Sequence, residues 1–160
     1  MRAAAVAIIG LALLWFWNRN RPLTGTVTTS EGYDLEPYGG PTSYPLPIVR
    51  TAEAIARAEG FYITGSVPNR AHNPGDLKLG GTTIANGITV FDSVDAGWNA
   101  LYRQLYLILT GRSSYYNLDM SIAEMGRIWT ATTAEQSAWA NNVAGALGVP
   151  SSTPLWAVLS

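Results

Sequence analysis

Two changes of composition divide this chain into three parts and decide what can fold and where. Residues 3–17 are an unbroken apolar run of 15, bracketed by Arg2 and by Arg19 and Arg21. As a helix the run spans about 22 Å, against roughly 30 Å of bilayer hydrocarbon. Met1, the Trp15 and Trp17 rings and snorkelling arginines can make up part of the difference. The run ends in Trp15-Phe16-Trp17-Asn18-Arg19 rather than in small residues, so the expectation is an uncleaved single-pass anchor over residues 1–19 and not a removed signal peptide. Charges near its two ends nearly balance and leave its orientation open. Residues 20–47 are rich in Thr, Gly, Ser, Tyr and Pro, with prolines at 22, 37, 41, 45 and 47. Such a stretch buries too little apolar surface to fold alone and reads as a semi-extended tether. The remaining residues, 48–160, suffice for one domain with a single core.

Composition removes several chemistries. With no cysteine, thiol nucleophiles, disulfides and thiolate metal sites are excluded. The single histidine, His72, argues against a catalytic zinc, which needs about three protein ligands, and no Gly-x-Ser-x-Gly elbow accompanies it. His72 itself reads as a polar loop residue or a substrate contact. Neither a phosphate loop nor a dinucleotide fingerprint is present. Residues 48–160 carry seven Lys and Arg against eight Asp and Glu, a net charge of −1. Nucleic acid, which calls for a clustered positive field, is therefore not the expected partner; an uncharged polymer such as a glycan fits better. What remains is carboxylate chemistry without metal or cofactor.

Read at 100° per residue, the segment 48–60 places Ile48, Ala52, Ile55 and Glu59 in one narrow sector. Glu59 therefore points where the core points. Glu53 and Arg57, four apart on the other side, suit a solvated face with a weak ion pair. Gly60 marks the helix end. Burial and the negative end of the helix both disfavour an anion, so the Glu59 carboxyl is expected to stay protonated at higher pH than usual. A protonated acid of that kind can donate to a leaving-group oxygen. The plainer reading is a glutamate that closes the last turn and rotates into water.

Further along, residues 77–79, 82–84 and 87–91 read as a small antiparallel β-meander with turns at Gly80-Gly81 and Asn86-Gly87. Three helices follow. The first starts near residues 92–95, carries Trp98, Leu101, Tyr102, Leu105, Ile108 and Leu109 on its apolar side and stops at Gly111. A second covers about residues 121–129. The third opens on Thr132-Thr133-Ala134-Glu135, a capping-box pattern, and ends at Gly148 before Pro150. The expected fold class is α+β and mostly helical.

Ala58-Glu59-Gly60-Phe61, Asn73-Pro74-Gly75-Asp76-Leu77, Ser114-Tyr115-Tyr116, Asp119-Met120-Ser121-Ile122 and Ala140-Asn141-Asn142-Val143 through Leu147-Gly148-Val149, in that order and spacing, resemble the lysozyme-like lytic transglycosylase domains of phages and prophages. The resemblance covers about residues 48–155. It implies a lysozyme-like domain in which the first long helix ends in the catalytic glutamate, matched here by Glu59. A small sheet would form one wall of a glycan groove and the later helices the other. The implied reaction is cleavage of the β-1,4 bond between N-acetylmuramic acid and N-acetylglucosamine in peptidoglycan.

Two outcomes stay open. A transglycosylase can use one Glu as acid and then base, closing a 1,6-anhydro ring, whereas a lysozyme needs a second carboxylate. Asp76 is the acidic residue expected in the groove; related sequences often carry Asn there. It is a turn-closing residue, a positioning group or a second carboxylate. Asn73 is a substrate-side amide or a turn-former. Tyr62, Tyr115, Tyr116 and Trp129 are candidates to stack on sugar rings, with core or rim packing the alternative for each. Trp129 falls where goose-type lysozymes and transglycosylases place a groove aromatic. Anchor, tether and small size suit, by analogy, a phage virion protein that opens the cell wall during entry, with other virion membrane proteins as candidate partners. A cellular envelope enzyme, or a non-catalytic virion membrane protein with a glycan-binding domain, is the alternative.

Overall fold

The computed structural model describes residues 44–84, 87–130 and 132–160. The expected anchor, and the tether as far as residue 43, lie outside the described residues. Among the described residues no helix is long and apolar enough to cross a membrane.

The described part is mostly helical with one small antiparallel sheet. In chain order its elements are α1 (Leu46–Ala58), α2 (Val67–Arg70), β1 (Thr83–Ile84), β2 (Ile88–Thr89), α3 (Val94–Leu109), α4 (Ile122–Trp129), α5 (Thr133–Leu147) and α6 (Trp156–Leu159). Helix α1 is central and packs against α5, α3 and α6, while α5 also packs on α4.

The apolar sector of α1 forms as the periodicity requires: Ile48, Ala52 and Ile55 are fully buried. The helix begins at Leu46, two residues before the expected start, with Pro47 in its first turn, where a missing N–H breaks no helical bond. Tyr44, just before it, already packs its ring on Tyr102 and Tyr106 of α3. At the other end Gly60 adopts φ 75°, the Gly60 N–H donates to the Arg57 carbonyl, and the Phe61 N–H donates to the Ala56 carbonyl. This is the two-bond Schellman closure, and it stops α1 with Glu59 at its cap.

On α3, Leu101, Leu105 and Ile108 are fully buried along the expected stripe, and Ser93 caps the helix by accepting from the Ala96 N–H. A capping box does occur, but at α4 rather than α5. Ser121 accepts from the Glu124 N–H while the Glu124 carboxylate accepts from the Ser121 N–H. The remaining first-turn donors of α4, Ile122 N–H and Ala123 N–H, are taken by the carbonyls of Thr153 and Ser151. At α5 the Thr132 side chain makes no cap bond. The first turn closes on backbone instead, with the Glu135 and Gln136 N–H groups both donating to the Thr132 carbonyl.

The expected three-stranded meander is reduced to the pair β1–β2, in register Thr83 opposite Thr89 and Ile84 opposite Ile88. Residues 77–79 do not complete a third strand, because side chains take over the ladder. One backbone bond joins them to β2, Thr89 N–H to the Leu77 carbonyl; the Leu79 N–H donates to the Thr89 hydroxyl instead. Gly80 and Gly81, at φ 83° and 75°, then turn the chain away. Of the expected Asn86-Gly87 turn, Gly87 has φ 77° and Asn86 lies outside the described residues.

Candidate active site

Glu59 sits at the end of α1 where the loop 72–77, α4 and α5 converge on it. Asn73 organises that loop. It is fully buried, donates through Nδ2 to the carbonyls of Leu77 and Thr89, each at 2.9 Å, and accepts at Oδ1 from the Leu77 N–H at 2.9 Å. A fully buried amide with these bonds presents no atom to a ligand. These bonds give Asn73 a turn-forming role. His72 is similarly committed, its Nδ1 within 3.1 Å of the Phe91 carbonyl. Both His72 and Asp76 adopt left-handed backbone, φ 52° and 51°. For Asp76 that conformation is among the less costly for a non-glycine residue.

Gly75 and Gly97 allow the loop to press onto α3. A Cβ on Gly75 would stand 2.8 Å from Leu101 Cδ1, and one on Gly97 would overlap the His72 carbonyl. The loop is thus fixed from both sides, and it delivers Asp76 to Glu59.

The carboxylate environment follows. Burial, and then the like charge of Asp76, push the Glu59 carboxyl up to about 8; the indole of Trp139 and that of Trp129 pull the other way, and Glu135 adds a smaller upward push. Asp76 is itself raised by burial, with Lys78 opposing and Glu135 assisting. Both carboxyls are therefore held toward the neutral form, Glu59 the further of the two. One Asp76 oxygen, Oδ1, is buried and has no hydrogen-bond partner. Glu135 lies one turn before Trp139 on α5, on the same face.

The aromatic side of the site is a row. Trp139, 4% exposed, donates its indole N–H to Glu59 Oε1 at 2.7 Å. Trp129 stacks on Trp139 with ring centroids 5.7 Å apart and donates to the Gly75 carbonyl at 3.2 Å. Tyr116 leans on Trp129 at 5.9 Å. Burial pushes its phenol up to about 12. Gly126 makes the stack possible: a Cβ there would be 3.1 Å from both the Gln136 carbonyl and the Trp139 ring, so α4 comes close to α5.

Of the residues expected at the site, Glu59, Asp76 and Trp129 come together. Asn73 supports them from beneath. Tyr62 is engaged with the Glu53 side of α1, its hydroxyl donating to Glu53 at 2.6 Å and its ring under the Arg57 guanidinium, which also pairs with Glu53 at 2.7 Å. Tyr115 is 72% exposed, and its neighbour Tyr116 is the tyrosine that joins the row. Trp139 is the residue sequence reasoning missed. It shares a buried stripe with Ala140, Val143 and Ala144, and a tryptophan on such a stripe reads as core. Among the described residues no group of three or more His, Asp or Glu is placed to hold a metal ion.

A partly buried carboxylic acid whose titration is pushed up to about 8, beside a second carboxylate and an aromatic row that runs from buried Trp139 to half-buried Trp129 and Tyr116, can deliver a proton to an oxygen of a bound uncharged ligand. No family model, curated protein or solved structure matches the chain.

Proposed function

We propose that the chain is a membrane-anchored peptidoglycan-cleaving enzyme with a lysozyme-like domain. It would cut the β-1,4 bond between N-acetylmuramic acid and N-acetylglucosamine as a lytic transglycosylase, with residues 1–19 as a single-pass anchor. The observation that carries this reading is Glu59, a single carboxyl held protonated to about 8 at the end of the central helix. In the forward step Glu59 gives its proton to the glycosidic oxygen as the bond to C1 of muramic acid breaks. The Glu59 carboxylate then takes the proton of the sugar's own C6 hydroxyl, whose oxygen bonds to C1 and closes the 1,6-anhydro ring. Glu59 ends as it began, so one carboxyl suffices. Virion entry, with the anchor in the virion membrane, is the setting that anchor, tether and small size suit by analogy; a bacterial cell envelope is the alternative.

Asp76 supports a second reading of the same site. Its closeness in charge to Glu59 and its unpartnered Oδ1 suit a group that orients a water, which would give a hydrolysing lysozyme. Mass spectrometry of the muropeptides released from purified peptidoglycan by the full chain, beside Glu59→Gln, separates the cases. Products ending in 1,6-anhydro-muramic acid, absent with the variant, support the transglycosylase, and reducing-end products support the lysozyme. No product from either protein favours the non-catalytic, glycan-binding role.

A further inference from the structure

We propose that Trp139 is a positioning residue that assigns separate jobs to the two oxygens of Glu59, holding Oε1 as a permanent acceptor so that the transferable proton is carried on Oε2. The inference rests on the reading of Glu59 as the acid. An indole N–H is a donor only. At 2.7 Å from Trp139 Nε1, Oε1 is therefore an acceptor whether Glu59 is charged or neutral, and cannot itself carry the hydroxyl proton in that direction. A neutral carboxyl accepts best at its carbonyl oxygen, so the proton is favoured on the other oxygen. The indole is fixed for this purpose: it is 4% exposed, lies against the close α4–α5 contact at Gly126, and stacks on Trp129, which is tied to the Gly75 carbonyl.

The same bond favours the ionised form, against the burial and like charge that favour the neutral one. The groups that bear on Glu59 from the surrounding elements are Asp76 from the loop after α2, Glu135 and Trp139 from α5, and Trp129 from α4. Lys78 acts on Asp76. On α1 itself Arg57 pairs with Glu53, around the helix from Glu59.

The test is Trp139→Phe in the full chain, which keeps a ring to stack on Trp129 and removes the donor. Carbon-13 NMR should place the Glu59 carboxyl titration about one pH unit above wild type. The alkaline limb of kcat should move up with it, and kcat should fall roughly 10- to 100-fold while KM stays within about twofold. An unmoved titration and an unmoved alkaline limb overturn the proposal. Should the variant fail to fold, the wild-type indole provides the measurement: the Trp139 Nε1–H resonance should shift with the same midpoint as the Glu59 carboxyl, and the step should vanish in Glu59→Gln. A flat resonance in wild type overturns the proposal too. These titrations need no turnover. Lysis by Glu59→Gln equal to wild type would sink the enzyme reading while leaving the Trp139 contact standing, so the two failures are distinguishable.

Discussion

The carbonyl of His72 occupies the space that a side chain on Gly97 would need. This contact seats the loop 72–77 on α3 and thereby sets how far Asp76 reaches toward Glu59. Gly97→Ala should force the loop off the helix, because the obstructing atom is backbone and cannot rotate away. We expect a loss of about 2–4 kcal/mol in denaturant unfolding, larger than ordinary overpacking of a flexible site. If the fold survives, the Glu59 titration should fall as Asp76 withdraws. A variant with wild-type stability and titration would mean that the contact does not govern the loop.

Asn73 makes a second demand on the same loop. Asn73→Ala strands two buried backbone groups, the Leu77 N–H and the Thr89 carbonyl, and takes one of its two donors from the Leu77 carbonyl, which keeps the Thr89 N–H. At roughly 1–3 kcal/mol for a stranded buried polar group, partly relieved by relaxation, the expected cost is about 3 kcal/mol. Asn73→Asp keeps the acceptor for Leu77 N–H but sets a carboxylate against two carbonyls, so it should be no better at neutral pH. Urea unfolding of both variants checks this; loss of activity without loss of stability would instead return Asn73 to substrate binding.

What could be read ahead of the structure, and what could not, follows from the range of the interactions. The stripe Ile48, Ala52, Ile55 and Glu59 is a local property of one helix, and it forms as periodicity requires. The loop 73–77 was marked by Pro74 and Gly75, residues with strong backbone preferences. Trp139 reaches Glu59 across 80 positions of sequence, and nothing in its neighbourhood distinguishes an indole aimed at a carboxylate from one aimed at the core. The capping box went to Ser121 and Glu124 although Thr132 and Glu135 carry the same pattern. At α4 the nearby donors are covered by the carbonyls of Thr153 and Ser151, whereas the first turn of α5 closes on its own backbone. The third strand failed for a similar reason: the Thr89 hydroxyl and the Asn73 amide took bonds that a sheet would have used. In each case groups outside the local pattern, or the segment's own backbone, took the hydrogen bonds that the pattern reserved, and nothing in the neighbouring sequence records that competition.

Asp76 sets part of the pH response. Its negative charge is the second-largest reason that Glu59 is held up at about 8, after burial. Asp76→Asn removes that charge and keeps the size and the tolerance for left-handed backbone. The Glu59 titration should therefore move down, and the alkaline limb of activity, set by loss of the acid's proton, should move down with it. If Asp76 only tunes Glu59, activity at pH 5 should stay within about threefold of wild type. A loss of roughly 100-fold or more at that pH, where Glu59 is protonated in both proteins, would make Asp76 a reacting group in its own right and favour hydrolysis.

Stability against pH gives a check on Glu59 that needs no substrate. The folded carboxyl titrates at about 8 and an ordinary glutamate at 4.5, so between these pH values the native state holds a proton that the unfolded chain has released. Unfolding free energy should then fall as pH rises through that window and level off above it. The full difference sets an upper bound near 5 kcal/mol, of which about 2–4 kcal/mol is a realistic yield once the site relaxes. Glu59→Gln keeps an acceptor for the Trp139 indole and carries no charge. It should match wild type in stability near pH 4.5, exceed it by that margin at pH 9, and be inactive at both. Urea titrations at the two pH values decide the matter: parallel pH dependence in variant and wild type would show that Glu59 ionises like a solvated glutamate, and the case for a buried acid would fail with it.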